Sequence, residues 1–156
     1  MALSIGTDLV DASRMARAVE RNGLLFIERF CSEYEISYIA RMPSIYSIEL
    51  EQISSSLESS YESDNVSQKF HDIKHWNVLS LSGIYAAKEA FAKAMGTGIA
   101  KGVNLHEIEV RHTELGAPFY ELSGSTLEVF KSKGFSKAHL SISHDAGMAV
   151  AFCVCE

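Results

Sequence analysis

Two distant segments of the sequence carry side chains that could together bind an anion or a metal. Asp8 stands where an alternating apolar segment gives way to a helical one, a position from which a carboxylate can face a cleft. Glu89 and Lys93 are four residues apart in a later helical segment, so they project from one face. The simpler interpretations are a carboxylate at a helix start and an exposed ion pair contributing roughly a few tenths of a kcal/mol.

A glycine loop, Gly96-Thr97-Gly98, follows the second of these segments directly. Glycine lets backbone approach a ligand closely, which favours a binding loop. The predicted helix ends there, however, and the dipole at its C-terminal end does not attract phosphate. Any anion at this loop would therefore depend on Lys93 and on the N–H groups of the loop.

The segment Leu140-Ser141-Ile142-Ser143-His144-Asp145 forms a third candidate. If Leu140 and Ile142 point into the core, the two serine hydroxyls share the opposite face of a strand, and His144 follows at the strand end. Serines on a solvated strand face need no function, and no G-x-S-x-G turn supports a Ser-His-Asp nucleophile. His71 and His75 could share a metal on a helix, but the glutamate of H-E-x-x-H is missing, so we expect no metal there.

Alternation and capping signals divide the chain into helices and strands of an α+β fold. We predict a strand over 2–9, a helix over 12–22 capped by Asp11, a short helix over 24–30 and a helix opened by the Ser32/Glu35 capping box. A long helix over 79–95, strands near 107–111 and 119–122, a helix over 125–133 and strands over 139–144 and 148–154 follow. The last strand is apolar on both faces, which predicts a central place in its sheet. Residues 44–75 are rich in serine and acidic residues and are expected to be an exposed insertion.

Composition limits the class of protein. The 156 residues fit one domain, 1–156, and the net charge of −6 is unlike that of a nucleic-acid binder. No apolar run approaches the ~20 residues that span a bilayer, and the N-terminus lacks the pattern of a signal peptide. Cys31, Cys153 and Cys155 form an odd set without a metal-finger spacing, so we expect reduced thiols. The sequence therefore predicts a cytoplasmic protein with no nucleic-acid or membrane partner.

The ordered motifs resemble the holo-[acyl-carrier-protein] synthase family of 4′-phosphopantetheinyl transferases. Order and spacing agree over nearly the whole chain, apart from the 44–75 insertion. The matching segments are Gly6-Thr7-Asp8-Leu9-Val10, Glu28-Arg29-Phe30 with Glu35, Ala86-Ala87-Lys88-Glu89-Ala90 with Lys93-Ala94 and Gly96-Thr97-Gly98, Glu107-Ile108-Glu109-Val110, Gly116-Ala117-Pro118 and Ser141-Ile142-Ser143-His144.

The resemblance implies a Mg²⁺-dependent enzyme that moves the phosphopantetheine arm of coenzyme A onto a serine of apo-acyl carrier protein, in fatty acid or related lipid synthesis. It implies a homotrimer with active sites at the subunit interfaces, with Asp8 and Glu89 binding Mg²⁺ and Lys93 beside the phosphate. The proton of the attacking serine could pass to Glu89, to Asp8 or to a metal-bound water. The resemblance also implies a coenzyme A pocket, with His144 near the nucleotide end, formed by Lys93, Thr97, Gly98, Pro118, Ser141, Ser143 and His144.

A basic stripe on the first predicted helix fits an acidic carrier protein. Arg14, Arg17 and Arg21 recur at spacings of three and four, and given the resemblance we predict docking through Arg14 and Arg21. One departure is Ile84, where the family usually has an arginine near the substrate site. This departure is the only support for a non-catalytic paralogue that binds coenzyme A or carrier protein. A Mg²⁺-dependent phosphohydrolase is less favoured, because no P-loop or Rossmann fingerprint is present.

Overall fold

A three-stranded antiparallel sheet forms one layer of the fold. The computed structural model describes residues 3–41, 77–99 and 101–156. In this sheet β1 (Ser4–Asp11) and β4 (Ala138–Asp145) both pair with β5 (Met148–Cys155), giving the order β1-β5-β4. The prediction that the last strand lies in the centre of its sheet is therefore confirmed. Two further strands, β2 (Ile108–His112) and β3 (Pro118–Leu122), form a separate antiparallel pair.

Five α-helices accompany the strands in the described part of the chain. The longest, Val78–Ala94, is called the central helix below, and the first, Ala12–Asn22, is called α1. Asp11 caps α1 by accepting hydrogen bonds from the N–H groups of Ser13 and Arg14 at 2.8 and 3.3 Å. The other helices are Leu24–Ile27, Glu33–Arg41 and Gly124–Ser132, and a 3₁₀ turn covers Leu105–Glu107.

The central helix lies across the inner faces of β1 and β5, and its residues supply much of the core. Ala86, Ala87, Ala90 and Phe91 are completely buried. Small side chains allow the helix to approach the sheet closely, while Phe91 contributes the roughly 1.5–3 kcal/mol of a fully buried aromatic side chain. The helical spacing of Ile84, Ala87, Phe91 and Ala94 predicts that they share one packed face, and all four are buried.

The helices and strands agree with the predicted α+β class, but one predicted helix ends earlier in the structure. The Ser32/Glu35 capping box is present, since Ser32 N donates to Glu35 Oε2 at 2.7 Å and Glu35 N donates to Ser32 Oγ at 3.2 Å. The short helix predicted over 24–30 ends at Ile27, because the backbone then tightens into turns such as Phe30 N to Ile27 O at 3.1 Å. The predicted insertion at 44–75 and the pair His71 and His75 lie outside the described residues.

Two further expectations concern the environment of the chain. Among residues 3–41, 77–99 and 101–156, no helix is long and apolar enough to cross a membrane. All three cysteines are free, as predicted, and all three are buried. Burial raises the pKa of the Cys31 thiol well above its usual range, so this side chain packs as a small apolar group.

Candidate active site

Asp8 reaches the central helix because the strand that carries it packs directly on helix backbone. A Cβ atom added to Gly6 would lie 2.0 Å from the carbonyl oxygen of Ala90, so only glycine allows this contact. Asp8 points to the same face of β1 as Gly6. Lys93 Nζ donates to Asp8 Oδ1 at 2.8 Å and to the carbonyl oxygen of Thr7 at 3.0 Å. The last turn of the helix is thereby joined to the strand at Asp8.

Glu89 lies one helical turn before Lys93 and is partly buried. Tyr85 lies a further turn back on the same face of the helix, and its ring packs edge-on against Phe30 with centroids 4.9 Å apart. Burial raises the pKa of Tyr85 to about 12, and the carboxylates of Glu89 and Asp8 add to this shift. The negative charges of both carboxylates therefore act on this phenol. We call Asp8, Tyr85, Glu89 and Lys93 the carboxylate site.

The donor set of the carboxylate site fits Mg²⁺ better than a metal bound by protein alone. In the described ranges, no three His, Cys, Asp or Glu side chains come close enough to hold a metal ion. Mg²⁺ typically takes one or two carboxylates and completes its octahedron with water and substrate phosphate oxygens. Asp8 and Glu89 would be the protein ligands of such an ion. Lys93 would add a positive charge beside the same phosphate.

A pocket of about 350 Å³ opens beside the first turns of the central helix. His144, at the end of β4, forms part of its wall together with Pro118, and Gly83 makes room for the imidazole. A Cβ atom at Gly83 would lie 2.8 Å from His144 Nε2. Burial lowers the pKa of His144, which keeps the imidazole neutral near pH 7. We call this cavity the His144 pocket; its lining is Tyr38, Asn77, Leu79, Ser80, Gly83, Ile84, His112, Gly116, Pro118, Ile142 and His144.

An aromatic pair in the wall of the His144 pocket was missed by the sequence analysis. The ring of Tyr38 stacks on His112 with centroids 4.3 Å apart and planes 8° from parallel. Burial lowers the pKa of His112, and its buried Nδ1 has no hydrogen-bond partner within the described part of the chain. Ile84, the residue that departs from the family pattern, lies in the same wall. No short-range spacing connects these residues, because they come from three separate segments.

The remaining residues expected to bind coenzyme A lie elsewhere. Thr97 and Gly98 follow the end of the central helix, where Thr97 Oγ1 donates to the carbonyl oxygen of Gly98 at 3.1 Å. Ser141 and Ser143 are exposed on β4, opposite Phe152 and Val150 of β5. This is the outer face of the sheet, which points away from the central helix and from Asp8. One chain therefore divides the predicted coenzyme A residues among three surfaces: the carboxylate site with its adjoining loop, the His144 pocket and the outer face.

The basic stripe occupies the solvent side of α1. Arg14, Arg17 and Arg21 are all exposed, whereas the opposite side of the helix buries Met15 and Val19. Arg17 Nη1 donates to Ser13 Oγ at 3.4 Å. Because α1 begins immediately after β1, its first turn and the strand that carries Asp8 belong to one continuous segment.

Comparison with known proteins agrees with this architecture. The family model described as the 4′-phosphopantetheinyl transferase superfamily matches residues 4–153. A holo-[acyl-carrier-protein] synthase from Trichlorobacter lovleyi is 33% identical over 156 residues, which cover 100% of this chain and 98% of the relative. A similar protein from Clostridium tetani is also 33% identical over 156 residues, covering 100% of this chain and 97% of that relative.

Solved structures with the same fold include enzymes of the same name. The crystal structure of holo-[acyl-carrier-protein] synthase from Neisseria meningitidis superposes with a TM-score of 0.69 at 28% identity, covering 98% of this chain and 97% of that one. The Helicobacter pylori protein in complex with coenzyme A gives a TM-score of 0.66 at 27% identity, covering 97% of this chain and 99% of that one. The chain belongs to the 4′-phosphopantetheinyl transferase superfamily, and the resemblance found in its sequence is confirmed.

Proposed function

We propose that this chain transfers 4′-phosphopantetheine from coenzyme A to a serine hydroxyl of apo-acyl carrier protein, giving holo-carrier and 3′,5′-ADP. The observation that carries the proposal is the ion pair of Asp8 with Lys93, 85 residues away in sequence, which places Asp8 beside the helix that also carries Glu89 one turn earlier. Full-length relatives named holo-[acyl-carrier-protein] synthase and solved relatives with bound coenzyme A support the same reaction. The free thiols fit the cytoplasmic setting that the sequence predicts.

The reaction exchanges one phosphorus–oxygen bond for another. The serine oxygen of the carrier attacks the β-phosphorus of coenzyme A, the bond from that phosphorus to the bridging oxygen breaks, and 3′,5′-ADP leaves with the electron pair. The serine proton passes to a base, for which Asp8 and Glu89 are the carboxylates at hand. Mg²⁺, when bound by these two residues, neutralises charge as the phosphoanhydride breaks. Lys93 stabilises the same developing charge.

Coenzyme A would extend from the carboxylate site to residues that do not lie on one continuous surface of a single chain. As the resemblance implies, Lys93 would lie beside the phosphate and His144 near the nucleotide end, and Thr97, Gly98 and Pro118 would belong to the same coenzyme A pocket. Ser141 and Ser143 lie on the opposite side of the sheet from Asp8. A second subunit packed on the outer face would give these serines a role in a neighbouring site.

Exposed apolar side chains on the outer face support the homotrimer that the resemblance implies. Ile5 and Leu9 are each 60% exposed, and Phe152 and Val150 beside them are 45% and 37% exposed. A contiguous apolar patch on a sheet face favours contact with another protein surface. We expect Phe152→Glu to give a monomer by light scattering and to abolish transfer. The control, Leu115→Glu, changes an exposed apolar residue off this face and should stay trimeric; a wild-type monomer would contradict the trimer.

The basic stripe of α1 would dock the carrier protein, which is acidic in this class. Arg14 and Arg21 are exposed, and Arg14 stands in the first turn of α1, directly after the strand that carries Asp8. Opposite charges steer encounter and fix register more than they add affinity. Raising the salt concentration should therefore slow transfer to the carrier without changing the affinity for coenzyme A.

Mass spectrometry of apo-acyl carrier protein incubated with this chain, coenzyme A and Mg²⁺ tests the proposal. We expect a gain of one phosphopantetheine group and release of 3′,5′-ADP only when apo-carrier is present, which separates the transferase from a phosphohydrolase. Asp8→Asn should lower the rate at least about 100-fold, because it removes a metal ligand rather than a group supporting one. The control Glu128→Gln alters an exposed carboxylate on the helix Gly124–Ser132 and should leave the rate unchanged. No gain over several carriers, with coenzyme A still bound, would favour the non-catalytic paralogue.

A further inference from the structure

The His144 pocket contains a second imidazole, that of His112, to which neither the sequence motifs nor the proposed reaction gives a task. His112 is the last residue of β2 and stands directly opposite Pro118 in the antiparallel β2–β3 pair. Pro118, His112 and His144 line the same cavity of about 350 Å³. His112 therefore lies beside two residues that the resemblance places in the coenzyme A pocket.

The ring of His112 is held by a column of stacked side chains from the helix Glu33–Arg41. Tyr38 stacks on His112 with centroids 4.3 Å apart and planes 8° from parallel. Tyr34, one turn earlier, stacks on Tyr38 with centroids 6.5 Å apart, and the guanidinium carbon of Arg111 lies 4.4 Å from the centroid of Tyr34. A ring that is already held by stacking loses little further conformational entropy when it binds a ligand.

The two nitrogens of the His112 ring differ in their surroundings. Nδ1 is closed to solvent and has no hydrogen-bond partner among residues 3–41, 77–99 and 101–156. A neutral imidazole carries one proton, and a buried N–H without an acceptor is rarer in proteins than an unpaired acceptor. We therefore expect the proton on Nε2, which makes Nε2–H the group that can donate to a ligand. Burial also lowers the pKa of His112, which keeps the ring neutral near pH 7.

The lining of the His144 pocket favours an uncharged planar group over a phosphate. Among the described residues, this lining includes no Lys, Arg, Asp or Glu, and Leu79, Ile84 and Ile142 make much of it apolar. A phosphate in the pocket would lack the cation that usually pairs with it. A purine base has apolar faces, and its edge carries ring nitrogens that accept hydrogen bonds. Within coenzyme A, the adenine ring is the group with this chemistry.

We propose that His112 is a specificity-determining residue: stacked on Tyr38, it donates a hydrogen bond from Nε2–H to a ring nitrogen of the adenine base of coenzyme A in the His144 pocket. The inference rests on the proposed function, which supplies coenzyme A as the ligand. A site that donates such a bond discriminates against a base without the acceptor, because the donor is then left unpaired. The 3′-phosphate of coenzyme A would lie outside this pocket.

Analogues of coenzyme A in which one ring nitrogen of adenine is replaced by carbon test this contact. Their Kd values are measured by isothermal titration calorimetry on the intact protein, with Mg²⁺ present and no carrier. In the wild-type protein, the replacement at one of the three nitrogens N1, N3 and N7 should weaken binding about fivefold to tenfold. This wild-type series does not depend on the folding of any variant. Equal affinity for coenzyme A and all three analogues would overturn the inference.

His112→Phe assigns the effect to the imidazole, because it keeps a flat ring against Tyr38 and removes both nitrogens. The variant should bind coenzyme A about fivefold to tenfold more weakly than wild type, and it should no longer distinguish coenzyme A from the weakened analogue. The matched control is His106→Phe, which makes the same change at an exposed histidine outside the pocket lining. It should leave every Kd within about twofold of wild type, and an equal loss there would refute the assignment to His112.

The 3′-phosphate provides a second measurement. Because this phosphate would lie outside the pocket, His112→Phe should weaken the binding of coenzyme A and of 3′-dephospho-coenzyme A by the same factor. A loss confined to coenzyme A would mean that His112 contacts the phosphate, and the inference would fail.

Mass spectrometry of apo-carrier separates this inference from the proposed function. Transfer by a wild-type protein that binds all analogues equally would remove only the role of His112. The expected binding pattern without transfer would refute only the reaction. If the wild-type protein does not bind coenzyme A, both fail.

Discussion

A buried ion pair in the core leads to the sharpest prediction about the stability of this protein. Lys88 and Glu35 are both fully buried, and Lys88 Nζ lies 2.8 Å from Glu35 Oε2. The same ammonium donates to the carbonyl oxygens of Leu105 at 2.9 Å and Ile108 at 2.7 Å, so each of its three protons has an acceptor. Glu35 Oε1 accepts from the N–H of Val110 at 2.8 Å. One ion pair therefore ties the helix Glu33–Arg41, the central helix and β2 together.

Lys88→Met keeps an unbranched apolar chain and removes the charge with its three donors. It leaves the Glu35 carboxylate buried without a cation, a change that typically costs about 3–5 kcal/mol. Since a domain of this kind is stable by about 5–15 kcal/mol, the loss is a large share of the total. At roughly 2–4 °C per kcal/mol for a chain of this size, the midpoint of thermal unfolding should fall by about 6–20 °C.

Thermal and urea unfolding followed by circular dichroism measure this loss, at one fixed protein concentration because assembly would otherwise alter the midpoint. Lys131→Met is the control, since it makes the same substitution at an exposed position and should change stability by less than about 0.5 kcal/mol. The double variant Lys88→Met/Glu35→Met should lose less than the sum of the single losses, because it leaves neither charge alone. A loss below about 1 kcal/mol for Lys88→Met would refute the reasoning.

Three further predictions use other parts of the structure. Gly6→Ala forces the helix backbone away from the new Cβ and should lower both stability and transfer by more than Gly116→Ala does. At Gly116 the added Cβ meets open space, so the only cost is the backbone strain of φ +84°, about 1–2 kcal/mol. Equal losses for the two variants in melting and transfer assays would contradict this. Burial lowers the pKa of His112 below its usual value of about 6.5, so the unfolded state binds more protons below that pH, and stability should fall as pH falls from about 7 to 5.5. His112→Phe should make this decline shallower in melts recorded over that range, and an unchanged slope would count against it. Arg14→Glu should raise the KM for apo-carrier about fivefold, since an exposed ion pair contributes up to about 1 kcal/mol, and leave the KM for coenzyme A unchanged; equal effects on the two constants would exclude docking at α1.

Local hydrogen-bonding signals allowed much of the fold to be predicted from the sequence. Asp11 caps α1, and the Ser32/Glu35 box opens the next helix, because a capping side chain bonds to N–H groups only two or three residues away. The central place of β5 followed from its two apolar faces. The end of the helix at Ile27 was not predictable in this way. It depends on a tightening of the backbone ahead of Ser32, and no single residue type signals that change.

The carboxylate site was only partly predictable, because its decisive contacts join distant segments. The spacing of four residues placed Lys93 beside Glu89, whereas in the structure Lys93 forms an ion pair with Asp8. Tyr85 could have been noticed from its position four residues before Glu89, a spacing that brings helical side chains together. Nothing in the sequence indicated the burial of Lys88. Lysine is almost never fully buried unless it is paired, and the partner of Lys88 comes from a different helix.

Lys88 and Glu89 are adjacent on the central helix, but Lys88 stabilises the fold whereas Glu89 belongs to the proposed metal site. This difference decides how a loss of activity in a variant should be interpreted. Successive residues of a helix point about 100° apart, so Lys88 enters the core while Glu89 is only half-buried. The distance from Asp8 to this helix is set by the backbone contact at Gly6, which no side-chain rotation can absorb. A change at Gly6 or Lys88 should therefore lower stability and metal binding together. A change at Asp8 or Glu89 should alter metal binding while the unfolding midpoint moves little, and this pattern separates a defect of the site from a defect of the fold.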